Sequence, residues 1–335
     1  MPYSTNQTQT RHSGIGVVII GRNEGARLVA CLASLGELAP TSAYVDSGST
    51  DNSTANANGA GVQVVNLDMS APFTAARARN AGYKALQQKF PALQYVQFVD
   101  GDCELASGWV ESAANFLDAN PKVAIVAGRR RERFPQATIY NAMTDREWSV
   151  PAGEKEECGG DFLIRTEAFS AANGFNPALI AGEEPELCVR LRAAGWQVHR
   201  IDHEMTRHDA AMTRFGQWWK RNVRAGHAFA EVSRMHRDTP TGIWRRNVRG
   251  AVLWAGIIPA IVLAITLLVH PAGLLLLGVY PAQIARMAMR AGASRPENWQ
   301  HSAFLVLGKF PELQGILQYE WNRLTGKRQR LIEYK

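Results

Sequence analysis

Four cysteines in 335 residues, Cys31, Cys103, Cys158 and Cys188, form no Cys-x-x-Cys pair. That spacing argues against a zinc or disulfide framework and for buried free thiols in a reducing compartment. The first fourteen residues, MPYSTNQTQTRHSG, lack the apolar stretch of a secretory signal, so residues 1–250 are expected to stay in the cytoplasm. No Gly-x-Gly-x-x-Gly follows the first apolar run, and no Gly-x-x-x-x-Gly-Lys-Ser/Thr occurs anywhere. Hydride transfer on a dinucleotide and P-loop chemistry are thereby disfavoured. The second part of the chain is short of acid: residues 204–335 carry 19 Lys/Arg against 8 Asp/Glu, net +11, while residues 1–203 carry 18 against 22, net −4.

A basic half suits nucleic acid or an anionic membrane, and the apolar residues decide between them. AVLWAGIIPAIVLAITLLV, residues 251–269, contains no charge and is close to the ~20 residues that cross a bilayer core. After His270-Pro271, AGLLLLGVYPAQIA gives a second uncharged stretch of fourteen before Arg286. Arg245, Arg246 and Arg249 precede the first segment, and Arg286, Arg290 and Arg295 close the second, with no cation in the break. The positive-inside rule reads this as a hairpin with both ends cytoplasmic. Upstream, residues 214–237 interleave Trp218, Trp219 and Phe229 with Lys220, Arg221, Arg224, Arg234 and Arg237, the pattern of a helix lying in the lipid interface. Membrane lipids are therefore expected partners and nucleic acid is not.

The first 200 residues alternate short β-prone runs with helical periodicity. GVVIIG (16–21), AYVDSG (43–48), VQVVNL (62–67) and YVQFVD (95–100) are separated by segments such as RNEGARLVACLASL and AARARNAGYKALQQ. Such alternation implies βαβ units, a mainly parallel sheet and ligands at the carboxyl ends of its strands. Those ends are acidic: Arg22-Asn23-Glu24 after the first run, Asp46 through Asp51 after the second, Asp100-Gly101-Asp102 after the fourth. A carboxylate rim would repel an anionic ligand unless a divalent cation mediates, and oxygen donors suit Mg2+ or Mn2+. Arg77 and Arg79 stand near a helix start where a phosphate could be met, or as solvated charges. RRRERF (129–134) suits an anionic acceptor or a solvated face.

VVIIGRNEG, VDSGSTDNS, AARARNAGY, FVDGD, GGDFLIRTEAF and GEEPELCVRLRAAGW together resemble, in order and approximate spacing over residues 15–200, glycosyltransferase family 2. The resemblance implies the A-type glycosyltransferase fold, a Rossmann-like, mainly parallel α/β sheet with flanking helices, and inverting transfer from a nucleotide sugar. It assigns Arg22, Glu24 and Asp46 to the nucleoside, with Asp51 shaping its turn. Arg79 and Asn80 fall near the ribose and phosphates, and Asp100 at the ribose or donor sugar. Gly160 and Asp161 fall beside the sugars, and Asp102 at the metal bridging the diphosphate. His208, after the strand around 197–201, is a second candidate metal ligand. Ser47 stands where the family usually has a second aspartate.

Inverting transfer needs one carboxylate to take the acceptor hydroxyl's proton. Glu183-Glu184 lies where the resemblance implies that base, with Glu184 favoured over Glu183. As plain sequence the pair is also the acidic first turn of a helix beginning near Pro185. Gln217-Trp218-Trp219-Lys220-Arg221 does not match the Gln-x-x-Arg-Trp of processive synthases, so transfer of a single sugar is expected.

The expected organisation is a disordered N-terminus (1–14), a catalytic domain (15–213), an interfacial helical region (214–250), a membrane hairpin (251–290) and a basic amphipathic tail (291–335). The acceptor is expected to be a lipid-linked or cell-envelope glycan at the inner membrane, met from the cytoplasm. Competing readings are a membrane-anchored sugar-binding scaffold, against which the intact Asp100, Asp102 and Glu184 speak, and a sugar-phosphate nucleotidylyltransferase, which would need a glycine-rich, arginine-containing loop where GRNEG stands.

Overall fold

The computed structural model describes residues 14–327. The expected disordered N-terminus up to residue 13 and the last eight residues of the basic tail lie outside them. The chain divides into two compact units, one ending at Met212 and one starting at Thr213.

The first unit is built on a nine-stranded sheet: β1 (Ile15–Gly21), β2 (Ser42–Asp46), β3 (Gln63–Asn66), β4 (Tyr95–Asp100), β5 (Cys103–Leu105), β6 (Val123–Glu132), β7 (Gly153–Lys155), β8 (Phe162–Arg165) and β9 (Gln197–His208). The order is β3-β2-β1-β4-β8-β6-β9-β5, with β7 on β9. β1 to β4 pair in parallel, as does β6 with β9, while β5, β7 and β8 pair antiparallel. The α/β expectation is met, with the parallel pairing concentrated in the first four strands.

Side chains on successive strand residues point to opposite faces, and the core splits accordingly. Val17 and Ile19 join Tyr44 and Val99 on one face; Val18 and Ile20 join Val45 and Phe98 on the other. On the first face pack α1 (Ala26–Ser34) through Leu28, Cys31 and Leu32, and, beyond the short α2 (Ser53–Gly59), α4 (Trp109–Ala119) through Trp109 and Leu117. On the second face lies α3 (Ala75–Lys89), begun by Thr74, whose hydroxyl accepts the Arg77 amide, a cap typically worth ~1 kcal/mol. α5 (Ile139–Trp148) precedes β7, and α6 (Thr166–Ala171) and α7 (Glu183–Ala193) also cover the second face. There Phe98 meets Phe162, Phe169 and Phe175 at centroid distances of 5.5, 5.1 and 5.1 Å. Burying each such ring contributes roughly 1.5–3 kcal/mol, so the strand ends above stand on a rigid floor.

The second unit is helical: α8 (Phe215–Met235), α9 (Arg245–Ala251), α10 (Ile258–Leu268), α11 (Val279–Gly292), α12 (Pro296–Leu307) and α13 (Lys309–Thr325). A π-helical turn (Val252–Ile257) joins α9 to α10, so Arg245–Leu268 is one continuous run of 24 residues; Pro271–Gly292, begun as a 3-10 helix, is a second of 22. At about 1.5 Å per α-helical residue and about 2.0 Å per 3-10 residue these reach ~36 and ~37 Å, and both are long and apolar enough to cross a membrane. The first run starts at Arg245, ahead of residue 251, and the second ends at Gly292, past residue 290, because helical backbone continues into the flanking arginines. α8 and α13 cross at glycines. A Cβ on Gly226 would sit 2.0 Å from the Glu312 carbonyl oxygen, and one on Gly315 2.0 Å from that of Val223.

Candidate active site

Parallel register brings the strand ends to one edge: Gly21 is level with Asp46, and Ile20 with Asp100. The antiparallel β8 starts at the same edge, since Phe98 pairs with Phe162. This puts Asp161 beside Asp100, whose amide donates to Asp161 Oδ1 at 3.2 Å. The loops after β1 and β2 are laced together. Asn23 donates its amide to Ser49 Oγ (3.0 Å) and accepts that of Thr50 (2.7 Å), and Gly25 N donates to Asp51 Oδ2 (3.1 Å). Asp51 therefore shapes its turn. Asp46 is buried and accepts from Tyr44 Oη at 3.1 Å and from the amides of Gly48 and Ser49 at 3.0 and 2.9 Å. On the first of these loops Arg22 is exposed, and Glu24 pairs with Arg27 at 2.7 Å.

The centre is Arg79, 3% exposed. Nη1 donates to Glu183 Oε1 at 2.8 Å and Glu184 Oε1 at 2.7 Å, and Nη2 to Asp100 Oδ1 at 2.8 Å. The guanidinium also lies over the Phe175 ring. Three carboxylates thus share Arg79, the residue the motif resemblance sets near the ribose and phosphates. The amide group of Asn80, next to it, donates to the Phe175 carbonyl (2.8 Å) and accepts the Phe175 amide (3.0 Å), so both ends pin the chain before α7. Arg77, the other candidate for a phosphate, instead holds the carbonyls of Asp68, Ala71 and Pro72.

A second arginine, half-buried, also belongs to the site. RRRERF sits at the end of β6 and beyond it, and strand alternation separates its members. Arg129, Arg131 and Arg133 pair outward with Asp202, Asp145 and Glu104. Arg130 turns inward, with Nη2 3.2 Å from Asp100 Oδ2 and Nε 3.2 Å from Asp161 Oδ2. It lies 4.8 Å from the Trp148 ring centroid. Asp161 also accepts the Thr206 hydroxyl at 2.7 Å, so its oxygens are held from three sides.

These contacts set the charges. Burial pushes the Glu184 carboxyl up, Glu183 beside it pushes further, and Arg79 opposes both, leaving it at about 7. Burial also acts against charge on Asp100, but Arg79 and Arg130 outweigh it and hold that carboxyl below its ordinary value. Gly160 passes close over this cluster: a Cβ there would sit 3.0 Å from Arg79 Nη2, 3.3 Å from Asp100 Oδ2 and 3.3 Å from Glu184 Oε1.

Beside it, Asp102 Oδ2 lies 3.3 Å from His208 Nε2, both side chains being buried. His208 is the last residue of β9, which runs further than the polar sequence after Ile201 suggested. Asp102, Cys103 and His208 each offer a donor atom within 4.8 Å of the others. Burial pushes the Cys103 thiol well up, and Arg130 donates to its sulfur at 3.0 Å, which leaves carboxylate and imidazole as the donors. The carboxylate suits Mn2+ or Mg2+, the imidazole softer divalent ions, and Asp100, Asp161, Glu183 and Glu184 close by outnumber Arg79 and Arg130.

Residues 16–172 match the family profile described as glycosyl transferase family 2. The pre-mycofactocin glycosyltransferase of Mycobacterium tuberculosis is 28% identical over 201 residues, covering 56% of this chain and 40% of that protein. The chain thus spans about two fifths of the length of the curated relatives it matches. A mannosyltransferase from Pyrobaculum calidifontis, solved with GDP-Man and Mn2+, superposes with a TM-score of 0.60 at 14% identity, over 92% of this chain and 88% of that one. Residues 1–349 of TarS from S. aureus give 0.50 at 13% identity, over 93% and 91%. At such identities the likeness is one of fold, the A-type glycosyltransferase sheet with its flanking helices.

Proposed function

On the match of residues 16–172 to the glycosyl transferase family 2 profile, we propose that the protein moves one sugar, with inversion and with Mg2+ or Mn2+, from a nucleotide sugar to a membrane-associated acceptor. The observation that carries this is a carboxylate of near-neutral proton affinity, Glu184, held 2.7 Å from Arg79 beside the Asp102–His208 pair. A general base works best when its pKa lies near the working pH.

In this reading Glu184 removes the proton from an acceptor hydroxyl as that oxygen bonds to the anomeric carbon and the bond to the nucleoside diphosphate breaks on the opposite face. One displacement inverts the centre. Arg79 fixes the direction of Glu184 and shares itself with Asp100. Asp102 and His208 would hold the divalent cation, which stabilises charge on a departing diphosphate. Asp46, Glu24 and Arg22 line the nucleoside end, and Gly160 and Asp161 the sugar end. Glu183, with 4% of its side chain exposed against 12% for Glu184, is the less accessible of the pair.

The two apolar helical runs support membrane attachment. Arg245, Arg246, Arg249, Arg286, Arg290 and Arg295 at their outer ends support a cytoplasmic side for both ends by the positive-inside rule, and in this reading the hairpin sits in the inner membrane with the catalytic domain in the cytoplasm. A lipid-linked or envelope glycan is then the acceptor.

The test uses the purified full chain in detergent or lipid nanodiscs, a panel of nucleotide sugars, Mn2+ or Mg2+, and a membrane-lipid extract as acceptor. One donor should release nucleoside diphosphate, Asp102→Ala should abolish the release, and the product's anomeric proton should report inversion by NMR. Pyrophosphate formed from a sugar phosphate and a nucleoside triphosphate would support the nucleotidylyltransferase, and tight donor binding without turnover the scaffold.

A further inference from the structure

The charge run at the end of β6 hides one more buried group. Glu132 has no exposed side-chain surface, and its position follows from strand register. His208 on β9 pairs with Cys103 of β5 on one side and with Glu132 of β6 on the other. The imidazole thereby stands between two carboxylates: Nε2 is 3.3 Å from Asp102 Oδ2, and Nδ1 is 3.6 Å from Glu132 Oε2. Nδ1 is buried without a hydrogen-bond partner inside 3.5 Å. Trp148 closes the ring off edge-on, centroids 4.9 Å apart.

Glu132 is itself fixed. Oε1 accepts the Phe134 amide at 3.1 Å and Asn141 Nδ2 at 3.3 Å, and Oε2 accepts the Ala210 amide at 3.0 Å. Asn141 Oδ1 accepts the Met212 amide at 3.2 Å, and Thr138 donates its hydroxyl to the Met212 carbonyl at 2.7 Å. The segment after His208 is therefore tied to β6 and α5 at several points. Backbone bracing alone needs acceptors but no net charge, and burying a carboxylate is costly unless its charge is used. A charge facing Nδ1 has such a use: it offsets the pull of Asp102 on the ring's proton, and once a cation takes the Nε2 lone pair it holds that proton on Nδ1.

We infer that Glu132 is a positioning residue for His208, fixing the tautomer and direction of the imidazole so that Nε2 and Asp102 together present a site for a divalent cation. This rests on the metal-binding part of the proposed function and adds a residue that the motifs do not include. A carboxylate behind a ligating histidine typically changes metal affinity by about 10–100-fold.

The test is a double-mutant cycle on Mn2+ affinity, read from the EPR signal of free Mn2+ with the full chain and no donor. Glu132→Gln should weaken Mn2+ binding by about 10–100-fold in the wild-type background and change it less than about twofold once His208 is Asn. Equal effects of Glu132→Gln in both backgrounds would show a brace that acts without His208 and overturn the inference. No Mn2+ binding by the wild type would overturn the metal reading itself, which separates the two failures. A second measurement needs no folded Glu132 variant: long-range 1H–15N spectra of the wild type at saturating Mg2+, a diamagnetic cation, with His208→Asn for assignment, should place the proton on Nδ1. A proton on Nε2 contradicts the proposal.

Discussion

Replacing Glu184 by glutamine should make the protein more stable at alkaline pH while removing its activity. The carboxyl is raised from 4.5 to about 7, first by burial and then by Glu183. Its folded-state pKa therefore lies above its unfolded value, so it binds its proton more tightly in the fold. Its contribution to stability is complete below about pH 4.5 and declines as pH rises through about 7. At pH 8 the charged form costs the fold up to roughly 3 kcal/mol relative to the neutral acid, at 1.36 kcal/mol per pKa unit. Glutamine has the shape of the neutral acid, and its carbonyl oxygen can still accept from Arg79 Nη1, now 2.7 Å from Glu184 Oε1. The variant should thus match the wild type in thermal unfolding at pH 5 and exceed it at pH 8 by about 5–10 °C for a unit of this size. The assay is differential scanning calorimetry at both pH values, with nucleoside diphosphate release measured in parallel. The same difference in Tm at pH 5 and pH 8, or a less stable variant at pH 8, would refute the electrostatic reasoning. Retained turnover would remove Glu184 from the chemistry.

Arg79→Ala leaves Glu183, Glu184 and Asp100 without their shared cation; loss of one partner in a buried ion pair typically costs about 3–5 kcal/mol, to be read from the urea midpoint of the first unit, with activity lost. Gly315→Ala forces a methyl group against the Val223 carbonyl oxygen, 2.0 Å from the ideal Cβ position, and the helix crossing must open at a cost of about 1–3 kcal/mol, seen as a lower Tm of the helical unit. Ile261→Arg puts a charge on an exposed position of the first apolar run, where insertion costs about 2.5–3.5 kcal/mol; the carbonate-resistant membrane fraction should fall.

What the sequence displays of this fold is its strand ends. Four runs rich in β-branched and aromatic residues, each stopping at polar residues, suffice to align Asp46 and Asp100, because parallel pairing leaves the register little freedom. The destination of the cations is harder to read. Arg79 shares its helix face with Tyr83 and Leu86, four and seven residues on, and all three are buried; that spacing is the available signal, but an arginine near a helix start reads equally as a phosphate contact or a solvated charge. Arg130 and Glu132 lie in a dense charge run, where composition says solvent and only strand alternation says which members turn inward. The partners that make burial tolerable run from Asn141 and Trp148 on the next helix to Asp161 and to Ala210, 78 residues from Glu132. His208 reads in sequence as a candidate metal ligand, yet its place between Asp102 and Glu132 depends on β9 returning between β5 and β6. Asn80 shows the reverse, since a motif position suggested a ligand contact while the amide is used on the backbone of Phe175.

The central claim, that Glu184 takes the acceptor proton, is tested most directly by the pH dependence of kcat/KM for nucleoside diphosphate release from the accepted donor at saturating Mn2+. The base must be deprotonated to act, so the rate should rise about tenfold per pH unit on the acid side, bend at about pH 7 and level off above it. A rate that is flat from pH 5.5 to 8.5, or that falls as pH rises through 7, would contradict the account.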